Sequence, residues 1–112
     1  MSEKSVVLYA LCISAKDGLI SEVEENELFI KFNDSVKAKK LPYKKLTRSQ
    51  YEEIIVEFFN SKKQLEDYVK DIQELEYLDE ILNIAETAAS SDGFDIQENI
   101  AFQKTLQILE SK

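Results

Sequence analysis

The sequence predicts an all-α protein because of its apolar periodicity, its helix-start motifs and its few turn residues. Apolar side chains recur at helical spacing within residues 51–58, 65–72 and 78–89. Four residue pairs match the capping box, namely Ser21/Glu24, Thr47/Gln50, Ser61/Gln64 and Asp95/Glu98. Two glycines and one proline among 112 residues are too few to separate many short strands. We therefore predict a single compact bundle of about six helices.

The helices are expected at six places along the chain. Their approximate ranges are 3–16, 22–34, 48–59, 62–73, 75–91 and 96–110. Within the first, residues 6–13 are apolar on every side, which predicts a central helix covered all round rather than a strand. The least regular region is the connector, residues 35–47, which contains the only proline, Pro42.

Length and composition restrict the function. A chain of this length forms one domain, residues 1–112. The net charge of −8 argues against nucleic-acid binding, which depends on phosphate neutralisation. With no histidine and a single cysteine, Cys12, the chain lacks the residues of an ordinary zinc site or a histidine-based nucleophile system, so we expect no enzyme. The apolar run, residues 6–13, is too short to span a bilayer, so we expect no membrane insertion. A single cysteine allows no disulfide within the chain, which predicts a cytoplasmic location.

The two halves of the chain resemble each other. Aligning Asp17 with Asp92 also aligns Gly18 with Gly93, and these are the only glycines. Residues 3–34 and 75–110 therefore form two pseudo-symmetric helix–Asp-Gly turn–helix hairpins, the second with a turn one residue shorter. A glycine just past a helix end allows the left-handed conformation that terminates many helices.

The acids of these turns have two interpretations. In the first they are turn and cap residues, because aspartate accepts backbone N–H groups in turns and acids favour a helix N-terminus. In the second they form a divalent-cation site, since carboxylates suit calcium, magnesium and manganese. The candidate ligands are Asp17, Glu24, Asp92, Asp95 and Glu98. An EF-hand is not expected, because its first and third loop positions would be Ile13 and Ala15, which cannot bind a cation.

The turns also carry a family resemblance. The first reads A-x-x-x-x-A-x-D-G-x-I-S-x-x-E from Ala10 to Glu24, and the second reads IAETAASSDGFDIQE from Ile84 to Glu98. Together with the helix of residues 48–59, these motifs resemble the TerB-like family, the tellurite-resistance protein B fold, which is similar to the N-terminal region of membrane-anchored J-domain co-chaperones. The resemblance implies an all-helical domain with paired acidic turns, metal binding by the acids and a link to tellurite or other stress. The second copy departs from the pattern, with Asn99 where a glutamate is expected.

The connector suggests a different function. It carries five lysines and no acid: Lys37, Lys39, Lys40, Lys44 and Lys45. It is either a solvated loop or a docking patch for an acidic protein partner, in which case the chain is a metal-free interaction module that also uses exposed aromatics such as Tyr43. The wide apolar stripe of residues 51–59 is in addition compatible with a homodimer.

Overall fold

The structure of the chain is a computed structural model that describes residues 2–15, 20–91, 93 and 96–110. Over these residues it contains α-helices and no strand. The helices are α1 Ser2–Ser14, α2 Glu22–Lys37, α3 Arg48–Asn60, α4 Leu65–Gln73, α5 Leu78–Ser90 and α6 Ile96–Glu110. The prediction of an all-α bundle with about six helices is therefore confirmed.

Helix α1 is the centre of the bundle. Its residues from Val6 to Leu11 are all buried, and it contacts each of the other five helices. Such a helix is apolar on every side because it has no face toward solvent. The radius of gyration, 12.7 Å, is close to the ~13 Å expected of one domain of this size. The prediction of a central helix is thus confirmed.

The other helices surround α1, but their contacts do not follow their order in the sequence. Helix α5 lies beside α1, and α2 packs mainly on α5 rather than on α1, its neighbour in sequence. Helix α6 packs mainly on α4 and also contacts α1. Helix α2 thus packs on the first helix of the other predicted hairpin, whereas α6 packs more on α4 than on α1, so the two predicted hairpins do not pack symmetrically.

Two of the predicted capping boxes are present in full. The Ser21 hydroxyl accepts the Glu24 N–H at 3.0 Å, and the Glu24 carboxylate accepts the Ser21 N–H at 3.2 Å. Thr47 and Gln50 make the same reciprocal pair at 3.1 and 2.9 Å. Each box satisfies two backbone groups that a helix end would otherwise leave unpaired. These contacts fix the starts of α2 and α3.

The third predicted box, Ser61/Gln64, is wrong. Helix α4 begins at Leu65 rather than at residue 62. The Ser61 hydroxyl instead accepts the Lys63 N–H within a local turn, and the Asp67 carboxylate accepts the Gln64 N–H at the true helix start. Serine often makes such local turn contacts in competition with capping. The fourth box cannot be assessed, since Asp95 lies outside the described residues.

Helix α5 starts later than the predicted residue 75. The chain turns through residues 74–77, and Tyr77 adopts a left-handed conformation with φ of 68° immediately before Leu78. None of the described helices combines the length and apolar character that a membrane-spanning helix needs.

Candidate functional site

The second acidic turn begins in the way that the sequence predicts. Gly93 has a φ of +85°, and its N–H donates to the Ser90 carbonyl at 3.1 Å. The Ser91 hydroxyl donates to the Ala88 carbonyl at 2.7 Å, which satisfies another group at the end of α5. A Cβ atom on Gly93 would meet no atom within 4 Å. Glycine is therefore needed at this position for its backbone conformation and not for space.

Glu24 lies at the start of the helix that follows the first turn. Its side chain is only 7% exposed, and one carboxylate oxygen accepts the Ser21 N–H in the capping box described above. Its position in the first turn of α2 also brings it close to the positive end of the helix dipole. The turn-and-cap interpretation thus accounts for one oxygen of Glu24.

Glu98 occupies the equivalent place in the first turn of α6 and is 3% exposed. Among the residues that the structure describes, Glu24 and Glu98 are the only charged side chains that are buried. Removing a carboxylate from water is unfavourable unless hydrogen bonds or a cation stabilise it. The duplication therefore preserves an uncommon feature, a buried carboxylate after each Asp-Gly turn.

The remaining candidate ligands cannot be placed. Asp17, Asp92 and Asp95 lie outside the described residues, so the predicted cluster is represented here by Glu24 and Glu98 alone. The described part of the chain brings together no group of three or more Asp, Glu, Cys or His side chains suited to a metal ion. Any ligand set at the turns would consequently require the aspartates.

The flanks of the two turns line one groove. This groove of about 480 Å³ lies between α1, α3, α4 and α6, and its lining includes Ala15, just before the first turn, and Gln97, just after the second. Phe58, Tyr68 and the half-buried Cys12 contribute to its apolar lining. The sequence did not predict this groove, because its walls come from segments far apart in the chain.

A second polar feature joins α2 to α3 close to Glu24. The Tyr51 hydroxyl donates to the Glu25 carbonyl at 2.6 Å, and burial, reinforced by the Glu25 carboxylate, raises the pKa of Tyr51. The Arg48 guanidinium lies 5.0 Å from the Phe29 ring centroid and donates to Asn26 at 2.8 Å. Arg48 thus stabilises the α2–α3 contact and is not a free extension of the basic connector.

Tyr9 is a second buried tyrosine, at the centre of the bundle. Its ring is fully buried on α1, and burial raises its pKa, although the Thr105 hydroxyl of α6 acts in the opposite direction. No hydrogen bond of ordinary geometry reaches the Tyr9 hydroxyl from the described residues. The neutral phenol is therefore strongly favoured at this position.

The connector is anchored at both ends, which the sequence did not show. At its start the Lys40 N–H donates to the Ser35 carbonyl and the Lys39 N–H to the Val36 carbonyl, at 2.9 and 3.1 Å. These two bonds form a Schellman motif, with Lys39 in the left-handed conformation at φ of 62°. The Ser35 hydroxyl donates to the Glu80 carboxylate, which ties the end of α2 to α5.

At its far end the connector is held by an asparagine and by the core. The Asn33 side chain accepts the Leu46 N–H at 2.8 Å and donates to the Leu46 carbonyl at 3.0 Å. Leu41 and Leu46 are buried. Tyr43 is half-buried and its ring stacks on Phe32, with 6.5 Å between centroids. The expectation that Tyr43 is an exposed docking aromatic is therefore wrong.

The connector lysines point away from this scaffold. All five are exposed, and none of them forms an ion pair with a residue that the structure describes. The anchored backbone and the unpaired charges together make a fixed, positively charged surface. We call the side chains of Lys37, Lys39, Lys40, Lys44 and Lys45 the connector surface.

The described residues define a class, namely an all-α bundle with a buried glutamate in the first turn of α2 and another in the first turn of α6. Known proteins do not narrow this class further. The chain matches no protein-family model, and neither a curated protein nor a solved structure matches it.

Proposed function

We propose that the chain is a small cytoplasmic domain of the TerB-like kind, which binds a divalent cation through its two acidic turns. The cation is calcium, magnesium or manganese, because carboxylate oxygens are the ligands that these hard ions prefer. The accompanying role in a tellurite-linked or other stress-associated assembly is supported by the resemblance of the two turn motifs.

One observation supports cation binding more than any other. Glu24 and Glu98 hold equivalent positions after the two turns, and both carboxylates are buried. Residues that flank the turns, Ala15 and Gln97, line the same groove. Acids of the two turns that lie close together would repel one another, and a bound cation would remove that repulsion. The aspartates Asp17, Asp92 and Asp95 complete the proposed ligand set.

The test compares metal-dependent stability in two variants of equal charge. In Asp17→Asn/Asp92→Asn, excess calcium should no longer raise the melting temperature that it raises in the wild-type chain, because a ligand that binds only the folded state stabilises it. The control, Glu52→Gln/Glu53→Gln, removes two exposed acids of α3 and should keep the full calcium effect.

Measurements in EDTA separate the two interpretations of the aspartates. If the aspartate variant and the wild-type chain differ in calcium but not in EDTA, the aspartates act through metal. An equal loss of stability in calcium and in EDTA would mean that Asp17 and Asp92 only shape the turns, and cation binding would be abandoned.

A second candidate function is a metal-free interaction module that docks a protein through the connector. The specific observation in its favour is the anchored backbone, which displays five lysines that form no ion pair with the described residues. Replacing these lysines with glutamate should abolish capture of a partner that the wild-type chain retains in EDTA. Unchanged capture would count against this function.

A further inference from the structure

We propose that the connector surface binds an extended acidic segment of a partner protein, and that Lys39 keeps a left-handed backbone conformation for the sake of this binding. The inference rests on the second candidate function and adds to it the chemistry of the partner and a role for one residue. It does not depend on cation binding at the turns.

The charge distribution is the first argument. The connector surface lies in a stretch, residues 35–51, that contains no acid, although the whole chain has 22 acidic and 14 basic residues. The lysines that do form ion pairs lie elsewhere, at Lys4, Lys63 and Lys104. A surface of one sign favours a partner of the opposite sign and accelerates encounter with it. The described residues supply no ion-pair partner for the connector lysines, so an acidic partner protein would complement the charge of the connector surface.

Rigidity is the second argument. The Schellman motif at Lys39, the Asn33–Leu46 hydrogen bonds and the buried Leu41 hold the connector backbone in place. A surface that is already ordered loses less conformational freedom on binding than a mobile loop does. The connector therefore has a property of a docking site that a solvated loop lacks.

Lys39 provides the third argument. Its φ of 62° lies in the region that glycine adopts at little steric cost and that other L-residues rarely adopt. Glycine is the usual residue at this position of a Schellman motif. The Schellman hydrogen bonds hold this conformation, but the exposed Lys39 side chain forms no hydrogen bond or ion pair with the described residues. Residues other than glycine in such sparsely populated backbone conformations cluster at functional positions.

The surroundings favour a peptide over a broader polyanion. The Glu3 carboxylate accepts the Lys44 N–H at 3.4 Å, and the exposed Asp34 lies directly before the connector, three residues before Lys37. These acids adjoin the connector backbone, so a broad anionic surface that covers the lysines would also meet negative charge, which repels it. An anionic membrane or a nucleic acid would approach them along with the lysines, whereas a narrow acidic segment need not.

The experiment measures fluorescence anisotropy of a short labelled oligoglutamate peptide, with an oligoglutamine peptide of equal length as control. The wild-type chain should bind oligoglutamate in EDTA, and should bind it about tenfold more weakly when salt rises from low to physiological concentration, as expected of a charge-driven complex. Reversing Lys37 and Lys40 to glutamate should abolish binding. Reversing Lys62 and Lys70, which are exposed and lie outside the connector, should leave most of it.

Lys39 is tested separately. Lys39→Gly should raise the melting temperature by about 3 °C, because glycine relieves the left-handed strain, and should weaken peptide binding at least about threefold through loss of one charge. The matched variant Lys62→Gly removes a charge outside the connector and should do neither. Unchanged affinity in Lys39→Gly would overturn the role of this residue.

Three other results would overturn the proposal. These are equal binding of oligoglutamine and oligoglutamate, absence of oligoglutamate binding, and tighter binding to phosphatidylserine vesicles or to a single-stranded oligonucleotide than to the peptide. If the connector-dependent protein capture described above persists while oligoglutamate does not bind, the acidic-segment inference fails and the interaction function stands.

Discussion

At the scale of single residues, the turns combine a backbone requirement with buried charge. Gly93 supplies a positive φ after α5, and Glu24 caps α2 while remaining almost fully buried. The sequence predicts the turn glycine and the capping role of Glu24, because Asp-Gly and the spacing of Ser21 and Glu24 are local patterns, but it does not predict that Glu24 is buried. It does not predict that Lys39 adopts a left-handed conformation, since lysine has no preference for that region.

Gly93 offers a direct test of the backbone requirement. Gly93→Ala should lower the free energy of unfolding by about 1 kcal/mol, because alanine at a φ of +85° is strained although its Cβ has room. Gly93→Asn should lose less, since asparagine tolerates this conformation better. Urea unfolding measures both, and an alanine variant as stable as the wild-type chain would show that the left-handed turn is not required.

At the scale of helices, periodicity and capping motifs predict most of the fold. The six expected segments correspond to α1–α6, and the starts of α2 and α3 agree with the predicted boxes. The start of α4 differs, because the Ser61 hydroxyl bonds within a tighter turn and Asp67 serves the helix end. Two patterns that fit the same motif can thus differ in which N–H group the hydroxyl reaches.

The caps make this difference measurable. Ser21→Ala and Thr47→Ala should each lower the free energy of unfolding by about 1 kcal/mol, the usual effect of removing an N-cap side chain. Ser61→Ala should lower it by less than about 0.5 kcal/mol, as should the control Ser49→Ala at an exposed position of α3. A loss at Ser61 as large as that at Ser21 would indicate that Ser61 caps a helix after all.

At the scale of the whole molecule, the packing of the helices brings the flanks of the two turns to the same groove. Helix α6 lies on α4 and α1, so residues flanking both turns, Ala15 and Gln97, line one groove. These contacts join segments distant in sequence, and local patterns carry no information about them. The predicted bundle could therefore be derived from the sequence, whereas the groove and the anchoring of the connector by Asn33 could not.

The packing also predicts the alkaline behaviour of the protein. The pKa values of Tyr9 and Tyr51 are raised above the ordinary value of about 10, mainly by burial. Above about pH 10 both phenols ionise in the unfolded chain but stay protonated in the folded chain. Their contribution to the free energy of unfolding is therefore complete below about pH 10 and is lost as the pH rises further. Tyr51→Phe should therefore lose less stability than the wild-type chain above about pH 10.

Tyrosinate absorbance recorded together with circular dichroism checks this expectation. Part of the absorbance of the five tyrosines should develop only as helicity is lost. Complete ionisation of all five in a chain that retains native helicity would contradict the burial of Tyr9 and Tyr51.

The central claim is that the paired acidic turns bind a divalent cation, and isothermal titration calorimetry tests it most directly. Calcium, magnesium and manganese are titrated separately into the metal-free wild-type chain and into Asp17→Asn/Asp92→Asn. We predict saturable heat for at least one ion with the wild-type chain, and its loss in the variant, because the aspartates supply oxygen ligands. Absence of heat with all three ions, together with an unchanged melting temperature, would contradict the claim.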